Sequence, residues 1–228
     1  GHEYTLQNSH FCEAHDSNNL QLKNKIAEIK GHIKEIEVFP GFSVEWWLIP
    51  IKTGVFDDLH CRVLDKPDTT DRLLTNLGIK LEKAGADILA PSDMGDNTVQ
   101  NLKLETKSTI MAYVKWRSVF YSSFRELADS SPSSERFYQM NLDNSWNATG
   151  TAHKYDKAGA DMLLLKPAMH SIDVFGIIKA GTYKQCGFFQ VSDEYKGLPT
   201  IKHQVEVAGI MKRAGAQFLV TYGARDLV

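Results

Sequence analysis

KAGADMLLLKPAMHSID, Lys157 to Asp173, holds in one line a helix end, a turn, a buried strand and a lysine set where that strand stops. Lys157 places a cation at the negative end of a helix. Gly159 offers the left-handed conformation that ends one. Met162-Leu163-Leu164-Leu165 is apolar throughout, the pattern of a parallel strand covered on both faces. The unit recurs. Lys83-Ala84-Gly85-Ala86-Asp87 leads into Ile88-Leu89-Ala90-Pro91-Ser92-Asp93, and Arg213-Ala214-Gly215-Ala216-Gln217 leads into Phe218-Leu219-Val220-Thr221-Tyr222. A helix–glycine–strand unit repeated along a chain points to an architecture of repeated layers.

Further strands lie between these units. Thr109 to Val114 runs up to Lys115, Gly187 to Val191 runs up to Ser192, and Phe42 to Ile49 follows a stretch, Leu20 to Val38, with apolar positions at helical spacing. Six β units alternating with helices make an α/β protein, either a doubly wound sheet or a TIM (β/α)8 barrel. The chain has no GxGxxG turn and no P-loop to favour the nucleotide-binding form. Polar or reactive residues end nearly every strand, which is how barrels present their sites. The expected fold is therefore the barrel, occupying residues 20–228, with 1–19 an unplaced polar segment. Residues 129–153, rich in Ser, Asn and Asp, read as a long loop and a candidate lid.

Charge and cysteine content narrow the class. A formal net charge of -2 gives no global basic field for nucleic acid or anionic membrane. No apolar run approaches the ~18 residues that a spanning helix needs. Cys12, Cys61 and Cys186 are far apart and odd in number, which argues against a disulfide framework and for a reducing compartment. The start, Gly1-His2-Glu3-Tyr4, lacks the basic and apolar regions of a signal peptide. The expected location is cytoplasmic.

Two lysines carry the chemistry, because each closes an apolar strand. An amine held in a water-poor site loses solvation of its ammonium form, and a second lysine nearby adds repulsion. The neutral amine can then attack a ketone and form a Schiff base that serves as an electron sink. Lys166 and Lys115 fit that role, although a strand-end lysine can also simply extend into water. Arg125 and Arg136 are suited to gripping a carboxylate through two parallel hydrogen bonds. Ser192 and Tyr222, at strand ends, could hydrogen-bond a second carboxylate, and Asp93 could orient an amine or relay a proton. His10, Cys12, Glu13 and His15 include donor types that zinc accepts, but at no standard spacing.

With these residues in view, the chain resembles the porphobilinogen synthase (5-aminolevulinate dehydratase) family. KAGADILAPSDMGD, Lys83 to Asp96, is similar to the family's APSDM strand. IMAYVKWRSVFYSSFR, Ile110 to Arg125, resembles the segment with its first active-site lysine. ERFYQM, Glu135 to Met140, resembles its lid motif, and KAGADMLLLKPAMHSID the segment whose lysine forms the catalytic Schiff base. FQVSDEY, Phe189 to Tyr195, and RAGAQFLVTY, Arg213 to Tyr222, are similar to the closing motifs. The runs are collinear from about residue 17 onward.

The resemblance implies a TIM-barrel lyase of porphyrin and haem biosynthesis that condenses two 5-aminolevulinate molecules to porphobilinogen with loss of two waters. It implies Lys166 as the Schiff-base lysine and Lys115 as the group holding or activating the other substrate. Arg125, Arg136 and Gln139 would bind the second substrate from the lid, while Ser192 and Tyr222 would bind a carboxylate of the first. It further implies a zinc or magnesium ion and a homo-octamer, with a plastid location open for a photosynthetic source. The family's N-terminal arm and first two barrel strands have no counterpart in this reading. Its metal-binding loop would fall near Trp46 to Asp58, where WWLIPIKTGVFDD offers no cysteine cluster, so no metal ligands are identified. Ala158 stands where the family's allosteric magnesium site has a glutamate. A non-catalytic barrel that binds a partner or joins oligomers, and another Schiff-base lyase such as an aldolase, are the alternatives.

Overall fold

The computed structural model describes residues 4–5, 41–44, 67–83, 85–91, 93–123, 139–143 and 145–224. Within them, seven strands form one sheet: β1 (Tyr4–Thr5), β2 (Gly41–Val44), β3 (Ile88–Pro91), β4 (Thr109–Lys115), β5 (Met162–Lys166), β6 (Gln185–Phe189) and β7 (Phe218–Val220). All neighbours pair in parallel and in chain order. Parallel strands in chain order, joined through helices from β2 onward, are the staves of a (β/α)8 barrel, and no pairing between β7 and β1 closes the ring among the described residues. One strand exceeds the six visible in the sequence. It is β1, within the segment that composition left unassigned. The expected helix over Leu20 to Val38 lies outside the described residues.

Among the described residues, six α-helices accompany the strands: α1 (Pro67–Lys83), α2 (Asp96–Glu105), α3 (Ser145–Ala158), α4 (Ile172–Ala180), α5 (Ser192–Lys196) and α6 (Ile201–Arg213). The three repeated glycines behave alike. Gly85, Gly159 and Gly215 have φ of 105°, 91° and 102°, where a side chain would be strained. Each amide reaches back three residues, to Glu82, Asp156 and Lys212. The following alanine amide reaches back five, to Leu81, Tyr155 and Met211. That is the Schellman closure, formed three times by one sequence unit.

Residues 145–153 of the expected 129–153 loop are instead the start of α3. Its inward stripe is Ala148, Ala152 and Tyr155, all buried. Spacings of four and three residues put them on one face. Alanines in a run of Ser, Asn, Thr and Gly read as polar loop in composition, yet they let the helix sit close against the sheet.

Strand alternation sorts the core into two layers. On β4, Ile110, Ala112 and Val114, with Trp116 just past its end, join Leu163, Leu165, Cys186 and Phe188 in the cluster beneath the helices. The intervening Met111 and Tyr113 join Ala90, Leu164 and Phe189 in a second cluster on the other face. Period-two alternation then assigns the last residues of β4 and β5, Lys115 and Lys166, to the face of Tyr113 and Leu164, the barrel interior.

Candidate active site at the ends of β4, β5 and β6

Lys115 and Lys166 are register partners on adjacent strands. They are 3% and 7% exposed, unusual burial for lysine. Aromatic rings surround the Lys166 amine: its Nζ lies 3.8 Å from the centre of the Phe189 ring, 5.2 Å from Tyr113 and 5.7 Å from Tyr121. The Lys115 Nζ lies 5.7 Å from the centre of the same Tyr113 ring. Three strand ends thus bring two amines together beside a cluster of aromatic rings. The rings exclude water, and their faces hold a cation by about 0.5–2 kcal/mol when one is present.

The backbone around the lysines is tied from several sides. The Trp116 amide donates to the Lys166 carbonyl at 3.0 Å, and the Tyr121 hydroxyl lies 3.1 Å from the Trp116 carbonyl and 3.2 Å from that of Lys166. Met140 donates from its amide to the Lys115 carbonyl at 2.9 Å, and Arg117 donates to the Met140 carbonyl at 2.9 Å. The stretch after residue 138 is therefore stitched onto the end of β4. Past β4, Ser123 donates weakly to Asp193, 3.3 Å away on α5. Sequence reasoning passed over Tyr121 and Phe189 because aromatics in strands and turns usually signal only a core.

Asp93 lies in the turn between β3 and α2, two residues before the Gly95 that opens the helix. Its Oδ2 accepts from the Thr98 hydroxyl at 2.7 Å, while its Oδ1 is sealed from solvent with no hydrogen-bond partner among the described residues. Burial raises the Asp93 pKa from 3.8 to about 6; Asp71 adds repulsion, and the bonds to Thr98 and Gly95 and the charge of Lys115 oppose the rise. Asp93 is thus electrostatically linked to one of the two lysines and titrates close to neutrality.

The other expected residues divide. Gln139 is buried at 4% exposure and lines a cleft of about 440 Å³ with Met94, Arg117, Trp146, Asn147 and Lys154. Ser192 does not end a strand: β6 stops at Phe189, and Ser192 opens α5, buried against the mouth. Tyr222 lies two residues beyond β7 and is nearly half exposed, its ring 5.8 Å from that of Tyr195. Arg125, Arg136, the His10–His15 donors and the Trp46–Asp58 stretch lie outside the described residues. Among the described residues, no three His, Cys, Asp or Glu side chains are grouped to hold a metal ion, and no helix is long and apolar enough to cross a membrane.

Comparisons with known proteins set this geometry in context. The family model described as delta-aminolevulinic acid dehydratase matches residues 5–228. The delta-aminolevulinic acid dehydratase of Helicobacter pylori is 33% identical over 193 residues, covering 75% of this chain and 60% of its own length. That of Staphylococcus aureus is 34% identical over 192 residues, covering 76% and 59%. The chain thus spans about three-fifths of the length of these relatives. The crystal structure of Toxoplasma gondii delta-aminolevulinic acid dehydratase (porphobilinogen synthase), solved with its product porphobilinogen, aligns with a TM-score of 0.78 and 29% identity. That alignment covers 98% of this chain and 67% of the other. The carboxyl transferase domain of Rhizobium etli pyruvate carboxylase, at 12% identity and a TM-score of 0.54, shares the fold alone.

Proposed function

The chain belongs to the delta-aminolevulinic acid dehydratase family, and from that premise we propose that the protein condenses two 5-aminolevulinate molecules to porphobilinogen with loss of two waters. Lys166 is the proposed Schiff-base lysine. Its amine adds to the ketone of one substrate and water leaves, giving an iminium that withdraws electrons from the adjacent carbon. Lys115 is proposed to hold or activate the other substrate. Ser192 and Tyr222 take a carboxylate of the first substrate, and Arg125, Arg136 and Gln139 that of the second. Asp93 takes a substrate amine or its proton.

The observation that carries this reading is the pairing of Lys115 and Lys166, in register and both buried, with Tyr113 beside each amine and Tyr121 and Phe189 beside that of Lys166. Two amines brought side by side on one strand face can each engage one of two substrate molecules at neighbouring positions. A zinc or magnesium ion is the cofactor proposed from the family, and a homo-octamer the proposed assembly. Every step given above is performed by this chain's own side chains.

Incubating the full-length protein with 5-aminolevulinate and sodium borohydride tests the proposal, with the adduct mapped by mass spectrometry and porphobilinogen followed by colour reaction. The expected result is a reduced adduct on Lys166 together with product. Absence of both, with zinc and magnesium each supplied, would overturn it in favour of a non-catalytic barrel.

A further inference from the structure

Glu194 is the most fully bonded carboxylate of the mouth, and the proposed chemistry gives it no part. It is 1% exposed, in the five-residue α5. Its Oε2 accepts from the amides of Ala168 at 3.0 Å and Val191 at 2.8 Å. Its Oε1 accepts from the amide of Met169 at 2.7 Å and lies 3.1 Å from His170 Nδ1. Burying a carboxylate is costly unless its lone pairs are filled, and here four groups from two different turns fill them.

Those turns are the ones that leave the candidate lysine and the candidate serine. The β5–β6 ladder runs from Met162↔Gln185 to Leu165↔Phe188 and stops there, one residue before Lys166. On the β4 side Lys166 is held beyond this point by the Trp116 amide and the Tyr121 hydroxyl. On the β6 side the Glu194 carboxylate carries the link, with Ala168 and Met169 just after Lys166 on one hand and Val191 just before Ser192 on the other. His170 closes the outer oxygen while its ring packs against Phe120, 4.1 Å between centres.

We propose that Glu194 is a positioning residue for the Schiff-base lysine, its buried carboxylate fixing the Lys166 turn against the Ser192 turn so that amine and hydroxyl meet one substrate molecule in a constant geometry. The inference rests on the reading of Lys166 given above. Glu194 touches no reacting group; it acts through the two backbone turns. Displacing a reacting group by about 1 Å costs on the order of a hundredfold in rate. An amide in place of the carboxylate would face at least one of these N–H donors with a donor of its own.

The test compares full-length wild type, Glu194→Gln and His170→Phe for kcat, KM, melting temperature and the rate of borohydride-trapped adduct formation at Lys166. His170→Phe keeps an aromatic ring beside Phe120 and removes only the outer contact. The expectation is a fall in kcat of about ten- to a hundredfold for Glu194→Gln, with trapping slowed in parallel at saturating substrate, and a fall of about two- to fivefold for His170→Phe. A Glu194→Gln protein that melts lower but traps and turns over at wild-type rates would show a purely structural carboxylate and overturn the proposal. Should that variant not fold, His170→Phe decides, and wild-type kcat and trapping in it overturn the proposal. A wild type that gives no Lys166 adduct overturns the assignment of Lys166, and this inference with it. A wild-type adduct with an unaffected Glu194→Gln overturns this inference alone.

Discussion

Lys115 and Lys166 stand opposite each other across the β4–β5 ladder, and both side chains belong to the face that carries Tyr113. The pairing makes their proposed roles separable. Lys166→Met should abolish the borohydride adduct and lower porphobilinogen formation at least about a thousandfold, because no other group supplies the electron sink. Lys115→Met should lower turnover by about a hundredfold or more while an adduct still maps to Lys166. An adduct that moves to Lys115 in the Lys166 variant would exchange the two assignments.

Asp93 supplies a pH signature in stability. Its carboxyl is pushed by burial from its ordinary 3.8 up to about 6, so folding favours the protonated form. The stabilising contribution is complete below about pH 4 and is lost as pH rises to 6, about 3 kcal/mol between the limits. Asp93→Asn removes the titration and keeps an oxygen for the Thr98 hydroxyl. Urea unfolding at pH 5 and pH 7.5 should show the wild type losing about 1–1.5 kcal/mol more than the variant over that interval. Parallel curves would mean that the carboxyl is not buried as described.

How far the sequence went can be judged on particular elements. The glycine stops at 85, 159 and 215 were legible because only one residue type adopts that backbone cheaply, and each is followed by a strand apolar on both faces. The two lysines were legible because a charge at the end of such a strand breaks the pattern. The end of helix α3 was legible at Lys157 and Gly159, but its start was not, since its buried stripe begins with two alanines whose signal vanishes among Ser, Asn and Thr. Ser192 was read as a strand end because nothing in VSDEY marks where β6 stops and a five-residue helix begins. Glu194 was invisible for a different reason. Its partners are backbone amides of turns 3 and about 25 residues away in the chain, and no side-chain pattern encodes a backbone donor.

Gly187 reports on the packing of β6 against β7. A Cβ there would sit 2.5 Å from two ring carbons of Phe218 and 2.5 Å from its carbonyl oxygen. The ring can turn, but the carbonyl belongs to the β6–β7 ladder, in which Gly187 and Phe218 are register partners. Gly187→Ala is therefore expected to lower stability by about 1–3 kcal/mol, read as a shift in urea midpoint. An unchanged midpoint would show that β7 moves freely relative to β6.

Tyr121 gives the mildest test of the mouth. Its hydroxyl lies within reach of the Trp116 and Lys166 carbonyls, and its ring lies 5.7 Å from the Lys166 amine. Tyr121→Phe keeps the ring and removes the donor, leaving the Lys166 carbonyl the Trp116 amide alone from that side. Loss of one buried hydrogen bond costs about 1 kcal/mol, and a slight loosening of the lysine should lower kcat by roughly three- to tenfold with KM nearly unchanged. Tyr121→Ala also removes one ring of the cluster, so water reaches the amine; there KM for 5-aminolevulinate should rise as well. Steady-state kinetics on the pair checks this, and equal kcat losses with equal KM values would show that the hydroxyl alone matters and the ring does not.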